Sequence, residues 1–209
     1  KKINITYFPT DNLELNLSRS YSNMNTKYGK SISLEQYKQN PNYTTLINND
    51  QYFSSYVTTG GFKYNINSNV SFETEYSEED KISDYKNLEW SYQNKLKYDY
   101  KSFISKLNYQ NYKSKIVIGV DGFDGDRIGD SDTTNKSNKA SFLLGEYNIT
   151  DDLKVSSGIR RENVEYKYDS STESSKYGSY LNAYDLGINY QLDNISSVFA
   201  NYNKSYQTP

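Results

Sequence analysis

The chain has 209 residues, no Cys and no His, with Lys+Arg 24 against Asp+Glu 26 for a formal net charge of -2. This composition excludes disulfides, thiolate chemistry and histidine ligation or general-base catalysis by these residues, and it offers no basic stripe to a nucleic-acid backbone. The mean hydropathy of -0.94 is that of a disordered chain, yet Tyr 24 and Phe 8 recur at alternate positions, as in a barrel wall that shows lipid only one face of each strand.

Strands are predicted over 2–8, 12–22, 53–66, 70–78, 96–109, 114–121, 139–149, 153–168, 181–191 and 195–206. No stretch approaches the roughly 18 consecutive apolar residues of a helical span, so any spanning elements are strands. In the first half Leu13, Leu15, Leu17 and Tyr21 alternate with Glu14, Asn16, Ser18 and Ser20, and Val70, Phe72, Thr74 and Tyr76 with Ser71, Glu73 and Glu75. Near the end Tyr184, Leu186, Ile188 and Tyr190 alternate with Asp185, Gly187, Asn189 and Gln191. Each run therefore has one apolar and one polar wall. Short turns are expected near 9–11, 67–69, 111–113, 150–152 and 193–194, and long polar loops over 23–52, 79–95, 122–138 and 169–180. This alternation places the short turns at one rim and the long loops at the other, the form of an outer-membrane barrel with periplasmic turns and extracellular loops. The segment Leu88–Tyr92 is a potential extra strand that would invert the sides upstream. In 153–168 the apolar phase changes between Ile159 and Val164, which marks either a bulge or the point where the strand leaves lipid. The soluble alternative is a β-sandwich or surface β-sheet binding module.

Several residue groups suggest chemistry. Asp121, Asp124, Asp126, Asp130 and Asp132 lie among glycines and are weak calcium candidates, without EF-hand spacing. Arg160, Arg161, Glu162 and Glu165, with Glu73, Glu75 and Glu146, are expected to form a charge ladder facing a wet lumen. Tyr7, Tyr64, Tyr98, Tyr109, Tyr147, Tyr190, Tyr202 and Tyr206 fit interfacial girdles. Tyr28, Tyr37, Tyr43, Tyr85, Tyr177 and Tyr180 fall in or near the expected loops, where amphipathic rings suit a planar or aromatic ligand. No nucleophile elbow, Walker loop or dinucleotide fingerprint occurs, so no enzyme and no cofactor is expected.

The stretch from Ala140 to Arg160, two strands around a short Thr-Asp turn, resembles the barrel of TonB-dependent outer-membrane receptors. So do Ile116–Asp121, before an expected long loop, and Val198–Pro209, which ends in a Ser-aromatic-x-x-Pro phrase. The resemblance implies an energised importer of a ferric siderophore, or in relatives haem or cobalamin. Such a receptor has a 22-strand barrel, an N-terminal plug and coupling to the TonB energy-transducing complex through that plug. On this reading residues 1–209 are a partial barrel of about ten strands in the lipid of the bacterial outer membrane, without plug or remaining strands. A passive outer-membrane porin is the alternative. Lys1 is not an initiator Met, so the start is expected to be a processed or trimmed end.

Overall fold

A computed structural model describes residues 1–43 and 45–206, with the backbone alone at Ile47. The part of the Ser-aromatic-x-x-Pro phrase at 207–209 lies outside the described residues. Ten strands run in chain order: β1 Lys2–Thr10, β2 Leu13–Gly29, β3 Ile47–Asn65, β4 Val70–Asn87, β5 Tyr92–Gln110, β6 Ser114–Ile128, β7 Asp132–Asn148, β8 Leu153–Ser170, β9 Ser174–Gln191 and β10 Ser197–Lys204. They form one antiparallel sheet in which each strand pairs with its neighbours in sequence. One short helix, α1 Leu34–Gln39, interrupts the connection between β2 and β3 and is closed by a Ser33–Gln36 capping box.

Because side chains alternate along a strand and the registers run without a break from β3 to β10, parity sorts the sheet into two walls. One wall carries Leu15, Leu17, Phe62, Phe72, Leu107, Ile118, Leu143, Ile159, Leu186 and Ile188. Its side chains are open, with Leu17 52%, Ile118 53% and Leu186 55% exposed. No second layer covers it among the described residues, which removes the sandwich reading: this wall is the lipid face. Tyr7, Tyr64, Tyr109, Tyr147 and Tyr190 border it at one edge, and Tyr21, Tyr56, Tyr76 and Tyr184 at the other. From Tyr64 to Tyr56 on β3, roughly eight steps rising ~3.3 Å each at about 40° of tilt span about 20 Å, close to the apolar band of an outer-membrane barrel.

The opposite wall is polar and held by cross-strand ion pairs. Glu73 lies between its register partners Lys63 and Lys106, at 3.6 and 3.0 Å. Glu146 pairs with Lys154 at 2.7 Å. The expected ladder exists for these residues and for Arg160 and Glu162. Arg161 and Glu165 have the other parity and face outward. Among the girdle tyrosines, Tyr98 likewise stands on the polar wall, and Tyr206 reaches the Arg160–Glu162 pair.

Three of the four expected loops are mostly strand. The connections at that rim shrink to 88–91, 129–131 and 171–173, and only 30–46 is long. The tips use the same turn chemistry as the short turns, with a side-chain oxygen accepting from backbone N–H groups two and three residues on. Asn67, Asn111 and Thr150 do this at one rim, and Asn87 and Ser170 at the other. Leu88–Tyr92 is such a tip, with Ser91 at φ 48°, so the sides do not invert. The phase change in β8 is not a bulge, since its registers with β7 and β9 are continuous. Val164, 1% exposed, instead packs on the polar wall where the strand has left the lipid band.

Candidate functional site

Above the lipid band the strands continue, β4 from Tyr76 to Asn87 and β9 from Tyr184 to Ser174, and their inner wall changes character. Register places Glu79, Tyr100, Gly125, Lys136, Tyr166 and Tyr177 side by side on β4 to β9. Tyr98 lies 5.7 Å from Tyr100, and Tyr100 lies 5.5 Å from Phe123, ring centre to ring centre. Cations flank this ribbon. Lys81 stands 4.9 Å from the Tyr98 ring and 5.4 Å from Phe53, and Lys136 stands 5.1 Å from Tyr166. Glycine at 125 is required by the close approach: a Cβ there would sit 2.6 Å from Phe123 Cζ and 2.8 Å from Tyr100 Cδ1.

Higher on the same wall, the Tyr85 hydroxyl donates to Asn49 Oδ1 at 2.7 Å, and the Tyr85 and Tyr92 rings are 6.4 Å apart. Asn49 Nδ2 donates to the carbonyl of Gly29, just beyond Tyr28. At the tip, Lys30 pairs with Glu89, which also accepts from Asn48 Nδ2 at 3.2 Å. Lys30 foremost, with Asn48, holds the Glu89 carboxyl below its ordinary pKa. These contacts tie the 30–46 connection to the β4–β5 hairpin.

Below the aromatic ribbon lies the most heavily bonded charge cluster of the inner wall. Arg160 grips Asp121 through both terminal guanidinium nitrogens, at 2.5 and 2.8 Å, and reaches Glu162 at 3.1 Å. Glu162, 5% exposed, also accepts from Asn138 Nδ2 at 2.6 Å and from the Tyr206 hydroxyl. The cluster joins β6, β7 and β8 to the end of the described chain.

The structure separates the acidic residues read as calcium ligands. Asp121 faces inward on Arg160. Asp124 and Asp126 face outward and accept from Asn135, at 3.3 and 2.9 Å. Asp132 pairs with Arg127, and Asp130 sits in the turn. Among the described residues no three acidic groups converge on a cation position: alternation along β6 puts Asp121 on the wall opposite Asp124 and Asp126, and Asp132 is taken up by Arg127. Of the six tyrosines read as ligand contacts, Tyr28, Tyr85 and Tyr177 lie on the upper inner wall. Tyr180 faces outward, with Arg161 5.2 Å from its ring. Tyr37 is exposed on α1, and Tyr43 is exposed in the connection that follows. Sequence reasoning missed Lys81, Tyr100, Phe123, Lys136 and Tyr166 as site residues and placed Tyr98 in a girdle. Their parity opposite to Leu107 and Ile118 was the available signal.

A single curved sheet with a lipid wall, a polar wall and aromatic borders defines an outer-membrane β-barrel. The family model "TonB dependent receptor-like, beta-barrel" matches residues 2–209, and the chain belongs to that family of outer-membrane transport receptors, which are not enzymes. No curated protein sequence matches the chain. Among solved structures it is similar to the open form of the ferric-catecholate import receptor Fiu from E. coli K12, with TM-score 0.84 and 13% identity over 100% of this chain and 46% of that one. It is also similar to the alcaligin outer-membrane receptor FauA from Bordetella pertussis, with TM-score 0.80 and 12% identity over 97% and 34%. The copper transporter OprC gives TM-score 0.75 and 11% identity over 97% and 35%. At these identities the likeness is one of fold, and the chain spans less than half the length of each of these receptors. The rim with the short turns is periplasmic by the rule of this barrel class, and the extended rim faces outward from the cell.

Proposed function

We propose that the protein is the barrel part of an energised importer whose cargo is an anionic, aromatic iron chelate of the ferric-siderophore class. The carrying observation is the inner wall above the membrane, where Lys81 and Lys136 flank the Tyr98–Tyr100–Phe123 ribbon. Rings offer flat contact at small entropic cost, and the ammonium groups supply the charge that a chelate with net negative charge seeks. Neither feature demands covalent chemistry, so capture is reversible and leaves the cargo free to move inward. In this reading the wall works with a plug domain that couples to the TonB complex. The ion-paired lower wall, with Glu73 and the Arg160 cluster, is a polar surface against which such a plug can slide.

The test is titration of the protein in detergent micelles with a ferric catecholate, with ferric citrate and haemin as comparison arms. Saturable binding of the ferric catecholate is expected. Lys81→Gln and Lys136→Gln are each expected to weaken it about tenfold, the effect of one desolvated cation contact. Ion conductance across a planar bilayer without saturable binding would instead identify a passive pore. Uptake that persists after collapse of the proton-motive force would remove the energised mechanism.

A further inference from the structure

On the lipid face, β4 to β8 enclose a groove of about 460 Å³. Its floor is made by the short side chains of Ser105 and Ser141, and its walls include Leu107, Ile118, Leu143 and Ile159. The Ser105 hydroxyl is bonded to Thr74 Oγ1 at 2.7 Å, so the floor offers a chain of methylenes little that seeks water. The groove is not symmetric along the membrane normal. Arg161 lines its upper end, immediately above Ile159 and at the border where Tyr184 closes the apolar band.

The charge of the outward wall above that border divides by sector. Just above the border on β4 to β6, Glu78, Asp80, Asp99, Asp124 and Asp126 sit at adjacent register positions with Lys101 among them, and Asp84, Lys86, Lys95 and Lys97 stand higher on the same wall. On β7 to β9 it is basic. Lys139 is diagonal to Arg161 across the β7–β8 pair, and Lys167 and Lys176 are direct partners across β8–β9. Glu165, bonded to Lys176 at 2.9 Å, and Asp169 at the top of β8 are the counter-charges within this group.

We propose that this sector is a docking site for a phosphate-bearing lipid of the outer leaflet, with one acyl chain in the groove over Ser141 and the phosphate on Arg161 and Lys139. Two independent features meet here: an apolar groove of about 460 Å³ on the lipid face, and cations at headgroup height on the same strands. A guanidinium pairs with phosphate through two parallel N–H bonds, and an ammonium adds a point charge. The acidic sector next to it repels the same headgroup, so the lipid is oriented around the barrel as well as bound. The site rests on family membership and membrane orientation, and is independent of which cargo the inner wall captures.

The test measures retention of a fluorescent phosphatidic acid and a matched phosphatidylcholine by the protein in mixed micelles. The protein is expected to prefer phosphatidic acid, and Arg161→Gln with Lys139→Gln to weaken its retention about tenfold and abolish the preference. Ser141→Leu, which fills the floor and changes no charge, is expected to lower retention of phosphatidic acid severalfold. Asp124→Asn in the acidic sector serves as the folded control with retention unreduced. No preference in the unaltered protein, or a preference that survives the Arg161 and Lys139 changes, overturns the proposal. So does retention indifferent to Ser141→Leu, and so does displacement of the lipid by an equal concentration of inorganic phosphate, which would mark a simple anion site.

Discussion

Arg160 illustrates how the inner wall constrains a single side chain. Its guanidinium serves Asp121 and Glu162 at once, and Glu162 is nearly sealed from solvent. Removing the cation leaves two carboxylates facing each other with reduced hydration, a situation that costs about 3 kcal/mol where a buried pair is broken. Arg160→Gln is therefore expected to lower the urea stability of the folded barrel by about that amount, whereas Lys27→Gln, whose 3.9 Å pair with Asp50 is largely exposed, should change it by less than about 1 kcal/mol. Gly125 makes the complementary demand for absence of bulk. Gly125→Val should push Tyr100 and Phe123 out of line and weaken chelate binding about tenfold while the strand content by circular dichroism stays constant.

At the scale of the elements, all ten strands were legible because hydrocarbon on one side enforces a strict period of two. Beyond the band both walls are polar and the period vanishes, so 79–95, 122–138 and 169–180 read as loops although ladder hydrogen bonds carry the strands through them. The same loss of period hid the site. Tyr85 and Tyr177 stood out as aromatic residues in polar surroundings, while Tyr100, inside the strand predicted over 96–109, and Lys136, in a segment read as loop, required parity to be carried upward from Leu107 and Leu143. Position 30–46 is the one long connection, and its tie to the β4–β5 hairpin is electrostatic. Since Lys30 depresses the Glu89 carboxyl, the stabilisation is complete above the ordinary glutamate range and is lost as pH falls through the lowered value. The protection of the backbone amides around Lys30, taken relative to the intrinsic exchange rate at each pH, should fall at acid pH, and Glu89→Gln should lower it at neutral pH and remove this pH response.

For the whole molecule the decisive surface is the wall that touches lipid. Leu186→Arg puts a cation near the middle of the apolar band and is expected to destabilise the barrel by about 2–4 kcal/mol, against about 0–1 kcal/mol for Asn182→Arg above it. Spin labels at Leu186, Ile188 and Leu17 should be reached by oxygen and shielded from a water-soluble relaxant. The reverse order at Leu186 would remove the membrane assignment.

The continuation of the strands past the bilayer has a consequence for how cargo is met. Binding elements that are already pleated and cross-linked lose little motional freedom when they close on a guest, so the association should show a small entropic penalty and fast, single-step kinetics. Whatever slow rearrangement accompanies capture is expected in the helix-bearing connection between β2 and β3, the longest at that rim.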